Sequence, residues 1–599
     1  MNMSTTSVSR SRPRAGGLAA VLAASALIVL VTATGARAAT AVSVFPIPGD
    51  RVATRETQIV IRGLPSSQFG TITVTGSESG VHTGVVKGDS DGAGGSFIPT
   101  KPFTAGERVT VKTGLDVTGG SQGSWSFTVE TPAHPAAGRP LKIGTRAKGD
   151  VWTFATEPSL KPASVEVIKK PKGIADGDLF LAPQAGPYEN GVEILNSVGR
   201  LVYFKPVPHG QNATDFSVQS FDGQSDLTWW QGDVTASGTG RGEDEIYNSS
   251  YQHVATVRAG NGLRSDLHEF LLGSSGTAWV TAYQPVIWNA SKIKHGSKRE
   301  VVLDAVAQEI DIKTGLVLYQ WDSLDHVALG ASYAPVAKSG VPWDYFHINS
   351  IQPESNGSVV VSSRNTSAVY ELSGQTGKIQ WTLGGKFSSF KLGKGVRFFY
   401  QHDARIQADG QLTLFDDGGM PFRESESRAL AINLDAKTNT ATVVHQDTHS
   451  PNLRAPAEGS VERLGNGDEL VGWGQAPDAA TEFNAQGKVV FDAKFVGGNS
   501  SYRAYRFPWT GTPKTRPAIA AHLYQGHTTV SASWNGSTET SRWRIRAGRS
   551  IKSLKVVATD RKTHYETNMK LGAREGYVEV QALDAKGKVL ATSQPVAGS

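Results

Sequence analysis

A short apolar strand led by Gly or Asp recurs six times in the middle of this chain, and no other feature limits its fold so tightly. The copies are Gly177-Asp178-Leu179-Phe180-Leu181, Asp226-Leu227-Thr228-Trp229-Trp230, Gly276-Thr277-Ala278-Trp279-Val280, Gly357-Ser358-Val359-Val360-Val361, Gly410-Gln411-Leu412-Thr413-Leu414 and Gly467-Asp468-Glu469-Leu470-Val471. A second hairpin with a polar turn follows most of them, as from Glu309 through Thr314-Gly315 to Trp321 and from Glu371 through Thr376-Gly377 to Trp381. Two hairpins per copy make a four-stranded sheet. Six such sheets close radially around a channel, which protects their edges. The repeats therefore predict an all-β fold whose centre, residues 136–512, is a six-bladed β-propeller. A linear array of sandwiches is the competing arrangement, and the pairing of two different hairpins in each unit argues against it.

The flanks read as smaller β modules. Residues 39–135 hold strand-like runs such as Gln58-Ile59-Val60-Ile61 and Ser124-Trp125-Ser126-Phe127-Thr128-Val129 between Gly-rich turns, as in an immunoglobulin-like sandwich. Residues 513–599 carry Trp534, Trp543 and the alternating run Tyr577-Val578-Glu579-Val580-Gln581-Ala582, which fit a second immunoglobulin- or fibronectin-like sandwich. Residues 1–38 have the form of a secretory signal peptide. Arg10, Arg12 and Arg14 precede an apolar run from Leu18 to Val31, and Ala36-Arg37-Ala38 offers the small residues of a cleavage site. The expectation is a secreted, extracellular protein with no stable membrane insertion after cleavage near Ala38.

Loss of that leader removes four Arg and no acid, so the formal charge of +6 falls to +2. The mature chain then has no general affinity for nucleic acid. The sequence contains no Cys, which excludes disulfides, thiolate nucleophiles and Cys-ligated metals.

Chemistry is suggested by one repeat position. His268 stands eight residues before Gly276, His402 eight before Gly410, and His347 ten before Gly357. Glu458, nine before Gly467, stands at the same place in the next unit. Equivalent positions on neighbouring blades face one another across a channel mouth. Arg364 follows the strand Val359-Val360-Val361-Ser362-Ser363, across the turn from His347. Strand alternation gives His347 and Asn349 a common face. Three His, an Asn and an Arg suit a small oxyanion. Tyr345, Trp343 and Trp230 are aromatic residues for stacking an aryl group or for the core.

The segments Asp266-Leu267-His268, His347-Ile348-Asn349-Ser350, Ser363-Arg364-Asn365-Thr366, Trp381-Thr382-Leu383-Gly384-Gly385, Gln401-His402-Asp403-Ala404-Arg405, Val471-Gly472-Trp473-Gly474 and Tyr502-Arg503-Ala504-Tyr505-Arg506 resemble the bacterial arylsulfotransferases, in particular a secreted actinomycete-type branch. The resemblance covers roughly residues 160–510. It implies a six-bladed propeller that moves a sulfuryl group from a phenolic sulfate donor to a phenolic acceptor without a nucleotide donor, through a sulfated histidine. By motif and order, it implies that His402 is the nucleophile, His347 and Arg364 hold the sulfuryl oxygens, and His268 is the general acid/base. Asn349 and Tyr345 would bind substrate. No metal or cofactor is required.

Other readings stay open on the residues alone. The pattern Ser373-Gly374-Gln375-Thr376-Gly377-Lys378-Ile379-Gln380-Trp381 is similar to a repeat of quinone-holding propellers. Three His also suit catalytic Zn²⁺, although Arg364 opposes a cation. A sulfatase on the same residues, or a non-catalytic secreted binding or adhesion protein, would share the fold.

Overall fold

The computed structural model describes residues 41–134, 144–186, 189–235, 237–338 and 341–598, and over them the chain is all-β with only short helical turns. The expected signal peptide, residues 1–38, lies outside the described residues. Six units, each built on four antiparallel strands, follow one another through the middle of the chain, and the short strands Trp343–Asp344, Lys391–Leu392 and Val165–Lys169 add to the third, fifth and sixth. The first is built from Asp178–Gln184, Gly191–Leu195 and Leu201–Pro206. The second holds Asn212–Phe221, Gln224–Val234, Gly240–Tyr247 and His253–Val257. The third holds Ser265–Leu272, Thr277–Trp288, Glu300–Asp311 and Val317–Asp322, and only the pair Gly242↔Ser265 joins it to the second. The fourth runs Ile348–Pro353, Ser358–Ser363, Ala368–Ser373, Ile379–Gly384. The fifth runs His402–Ile406, Leu412–Asp416, Arg428–Asp435, Thr440–Asp447, and the sixth Ser460–Arg463, Glu469–Gly472, Asp478–Phe483, Val489–Phe495.

The fourth strand of the first unit comes from the far end of this region. Ser500–Phe507 pairs with Asp178–Gln184, as in Phe180↔Tyr505 and Leu181↔Ala504. The end of the repeat series is thus stitched to its beginning.

Burial follows from this arrangement. Ser358–Ser363 and Asp178–Gln184 are buried at nearly every residue because neighbouring sheets cover both faces. Such strands read as continuous apolar runs. The strand Thr440–Asp447, flanked on its outer edge only by the two-residue strand Lys391–Leu392, alternates instead, with one face in solvent.

The first strands of the units converge on one buried ion network. Arg503 donates to Asp215 at 2.7 Å, to Glu269 at 3.1 Å and to the Asn349 carbonyl at 2.9 Å. Arg405 donates to Glu269 at 2.7 Å, to Asp403 at 2.8 Å and to the Ile351 carbonyl at 2.8 Å. The Val461 amide donates to Asp403 at 3.1 Å. All six units therefore contribute to a single cluster. Burying ions adds little net stability, but removing one partner strands the others.

Two further sheet pairs flank these units. In one, Ile59, Ile61, Val109, Val111, Trp125 and Phe127 share a core, and it joins the third unit through Arg51 on Asp325 at 2.8 Å and the Ser90 hydroxyl on Asp311 at 2.9 Å. In the other, Val530, Trp543, Ile545 and Val578 form the core. It joins the first and second units. Asn535 exchanges bonds with the Phe204 backbone at 3.0 and 2.8 Å, and the Tyr251 hydroxyl donates to Gly536 at 2.7 Å.

Candidate active site

His268, His347 and His402 stand where the first strands of the third, fourth and fifth units begin, and all three are buried. The His268 and His347 rings meet edge to face with centroids 4.6 Å apart. Tyr502, on the strand that closes the first unit, lies 5.6 Å from His268 and 6.2 Å from His402. Tyr283 lies 6.0 Å from both His268 and His347.

Local backbone geometry turns these side chains inward. Strand register shifts between Ile348 and Ser350 and between His402 and Arg405. His347 (φ 60), Tyr400 (φ 62), Asp403 (φ 51) and Glu458 (φ 73) all sit in the left-handed region, which side chains other than Gly seldom adopt. Such bulges and strained residues re-aim side chains at functional sites. Gly459 follows at φ 107, and a Cβ there would fall 2.5 Å from the Phe415 ring, so only Gly lets the chain pass behind Glu458.

Each histidine has a carboxylate on Nδ1. Asp266 holds His268, Asp344 holds His347, and Asp417 holds His402 at 2.7 Å. On a neutral ring a carboxylate at Nδ1 keeps the proton there and turns Nε2 toward the site. Nε2 of His347 is buried with no partner. Burial, then Arg364 and the neighbouring imidazoles, holds His347 and His402 well below the ordinary histidine range. Burial pushes Asp344 up to about 6 and, with Asp416 beside it, pushes Asp417 well up.

Arg364 is the cation of the site. Its amide donates to the His347 carbonyl at 2.9 Å, which fixes it across the turn from that histidine. Its guanidinium lies 5.1 Å over the Tyr400 ring and 3.9 Å from Asp344. Glu458 accepts from the amides of Gln475 at 2.9 Å and Gln184 at 3.3 Å, and burial pushes its carboxyl up to about 7.

Two residues have tasks other than those expected of them. Asn349 donates Nδ2–H to the Gln401 carbonyl at 2.7 Å, so it braces the peptide before His402. The bulge at Ile348 and Ser350 breaks the alternation that would have placed it beside His347. Tyr345 is wholly buried against Trp343 and Phe346, and its hydroxyl donates to the Val327 carbonyl at 3.3 Å. Its ring is already covered, so Tyr345 belongs to the core and not to a substrate pocket. Trp230 and Trp343 are core residues too.

The sequence pattern assigns no role in this site to Asp266, Asp344, Asp417, Tyr283 and Tyr502. Asp266 and Asp344 lie two and three residues before their histidines, a visible signal. Asp417 lies fifteen residues after His402 in a loop that reads only as a turn, and it gives no such signal.

A cavity of about 740 Å³ is lined by Asp215, Glu269, Asp403 and Arg405 of the ion network and by Tyr505, and no histidine lines it. Among the described residues, the groups whose ligand atoms lie close enough to share one ion do not include His268, His347 and His402.

No curated protein matches the chain. Among solved structures, a protein of unknown function from Bacteroides caccae is similar at 13% identity over 55% of this chain and 98% of that one, with a TM-score of 0.35. An auxiliary nutrient binding protein from Bacteroides ovatus is similar at 13% identity over 76% of this chain and 98% of that one, with a TM-score of 0.28. Likeness this distant carries no argument about fold or function. Residues 217–496 contain the three histidines, Arg364 and all three aspartates. They match the family model of the arylsulfotransferases (ASST), and this part of the chain is a member of that family.

Proposed function

We propose that the chain moves a sulfuryl group from a phenolic sulfate ester to a phenolic acceptor, with no nucleotide donor, through a sulfated His402. One observation carries this reading: three histidines, each with Nδ1 held by an aspartate, surround a site whose cation is Arg364.

The chemistry follows from the geometry. His402 is neutral near pH 7, and Asp417 leaves its Nε2 as the nucleophile. Nε2 attacks sulfur, the S–N bond forms and the S–O(aryl) bond breaks. The leaving phenolate takes a proton from Nε2 of His268, which enters the step carrying it, with Asp266 on Nδ1 to hold the ring in place. The acceptor phenol returns a proton to His268. Its oxygen then attacks sulfur, and the S–N bond breaks to restore neutral His402. Sulfuryl transfer resembles phosphoryl transfer, in which the protein mainly positions groups and stabilises spread charge. Arg364 and His347 do this for the sulfuryl oxygens. The half-buried rings of Tyr283 and Tyr400 supply the aromatic surface for the phenol.

The six units are in this reading the blades of a six-bladed propeller. The stitched first unit and the ion network shared by all six support that closure. The flanking sheet pairs serve as immunoglobulin-like modules, and the leader directs export to the cell exterior.

The test is release of chromophore from a chromogenic aryl sulfate, with and without added phenol, for the wild type, His402→Ala and a chelator control. Phenol-dependent release that is lost in the variant and insensitive to chelation supports the proposal. Release without phenol points to a sulfatase, chelator-sensitive release to a metal enzyme, and no release from a panel of donors to a binding protein.

A further inference from the structure

A second cluster lies apart from these histidines. His449 is on the connection from Thr440–Asp447 to Ser460–Arg463, Asp478 begins the strand Asp478–Phe483, and Asp492 lies within Val489–Phe495. All three are buried. His449 Nε2 stands 3.3 Å from Asp492 Oδ2 and 3.9 Å from Asp478 Oδ1, and the three ligand atoms lie within 4.8 Å of one another.

The surroundings fix how these atoms face. His449 Nδ1 donates to the Pro451 carbonyl at 2.8 Å, which places the ring proton on that side. This is the usual outer contact of a metal-binding histidine. Nε2 faces two carboxylate oxygens, and without a metal the Asp492 contact favours a proton there, which an incoming ion would displace. The other oxygen of Asp492 accepts the Thr481 hydroxyl at 2.7 Å, and the Trp473 indole donates to that hydroxyl at 2.9 Å. Lys494, on the same strand as Asp492, reaches Glu166 at 3.5 Å. Three electron-rich atoms converge, and the arrangement calls for a cation between them.

We infer that His449, Asp478 and Asp492 bind a divalent transition-metal ion, Zn²⁺ foremost, which clips the connection between the fifth and sixth units. Two ligands about 2.1 Å from a shared ion lie about 3.0–3.4 Å apart at tetrahedral or octahedral angles. The 3.3 Å separation already fits, and the 3.9 Å separation closes with a small movement of Asp478. An imidazole with two carboxylates suits Zn²⁺ or Mn²⁺, whereas Ca²⁺ favours an all-oxygen shell. A chain without Cys has no disulfide to pin a long connection, and a metal clip serves that end. The neighbouring group His445, Asp447 and Glu469 differs. His445 is exposed, and Arg463 already occupies Glu469 at 3.1 Å. The inference does not depend on the sulfuryl-transfer reading.

The full chain, stripped with a chelator and dialysed, is titrated calorimetrically with Zn²⁺, Mn²⁺ and Ca²⁺, and its melting temperature is followed. The expected result is one Zn²⁺ per chain with Kd of about 1 µM or tighter, and a rise in melting temperature. His449→Gln and Asp492→Asn should each weaken binding by at least about a hundredfold, while the control His445→Gln leaves it unchanged. Should the variants fail to fold, Co²⁺ loaded into the wild type decides. A visible spectrum shifted from that of aqueous Co²⁺, with one ion held per chain, supports the inference, and an unchanged aqueous spectrum overturns it. It is also overturned if Zn²⁺ and Mn²⁺ fail to bind, or if the folded His449 and Asp492 variants bind as the wild type does. In that case a proton on Nε2 is the only cation held there.

Discussion

Replacing Asp417 by Asn tests how His402 is made a nucleophile. Asp417 is wholly buried and sits 2.7 Å from His402 Nδ1. When Nε2 bonds to sulfur the ring gains positive charge, and the carboxylate is the nearest group to answer it. Two unit charges about 4 Å apart attract by about 4 kcal/mol at the effective dielectric of a protein site. An amide of the same shape forgoes that attraction and can also donate to Nδ1, which would move the ring proton to Nε2. A loss of about 4 kcal/mol from the transition state corresponds to roughly a thousandfold in rate. Rapid-mixing measurement of the first turnover with a chromogenic aryl sulfate reads this step directly. The rate of the burst should fall by about that factor, with KM for the donor nearly unchanged, because Asp417 acts through His402. A folded Asp417→Asn enzyme that retains its burst rate within tenfold refutes this account of the pair.

Further outcomes follow from the charges. Arg364→Lys replaces a planar fork by a point charge and should raise KM for the donor while lowering kcat, as steady-state kinetics would show. Glu458 ionises near pH 7 beside Arg364, and its carboxylate opposes an anionic donor, so kcat/KM should fall as pH rises through 7. A pH–rate profile of Glu458→Gln should lack that inflection. Asp304 and Glu130 are pushed up to about 7 by burial, and Glu462 to about 8. The folded chain therefore holds protons that the unfolded chain has lost, and stability should fall as pH rises from about 4.5 to 8. A melting temperature higher at pH 8 than at pH 5.5 would contradict this. Arg503→Met strands Asp215 and Glu269 and should cost about 3–5 kcal/mol in denaturant unfolding.

The β class was legible because the repeats are local. Each apolar strand and its turn residues lie within a few positions of one another, so composition and period two suffice. The three histidines were legible for the same reason, since a repeat position can be counted. Contacts between distant segments were not. Asn349 looks like a partner of His347 until a bulge re-aims it. Tyr345 looks like a stacking residue until Trp343 and Phe346 are seen to cover it. Asp417 reads as part of a loop, and only the fold brings it to His402. Tyr502 lies one hundred positions beyond His402, and its ring arrives through the strand that stitches the last segment to the first unit.

The central claim is the sulfated His402, and trapping it is the most direct test. The protein is mixed with an aryl sulfate in the absence of acceptor, quenched in base, digested and examined by mass spectrometry. The account predicts an added sulfuryl group on the peptide holding His402, one per chain, which disappears when phenol is supplied and never forms in His402→Ala. Turnover in the wild type with no label on that peptide, or with the label on His347 or His268, would contradict it.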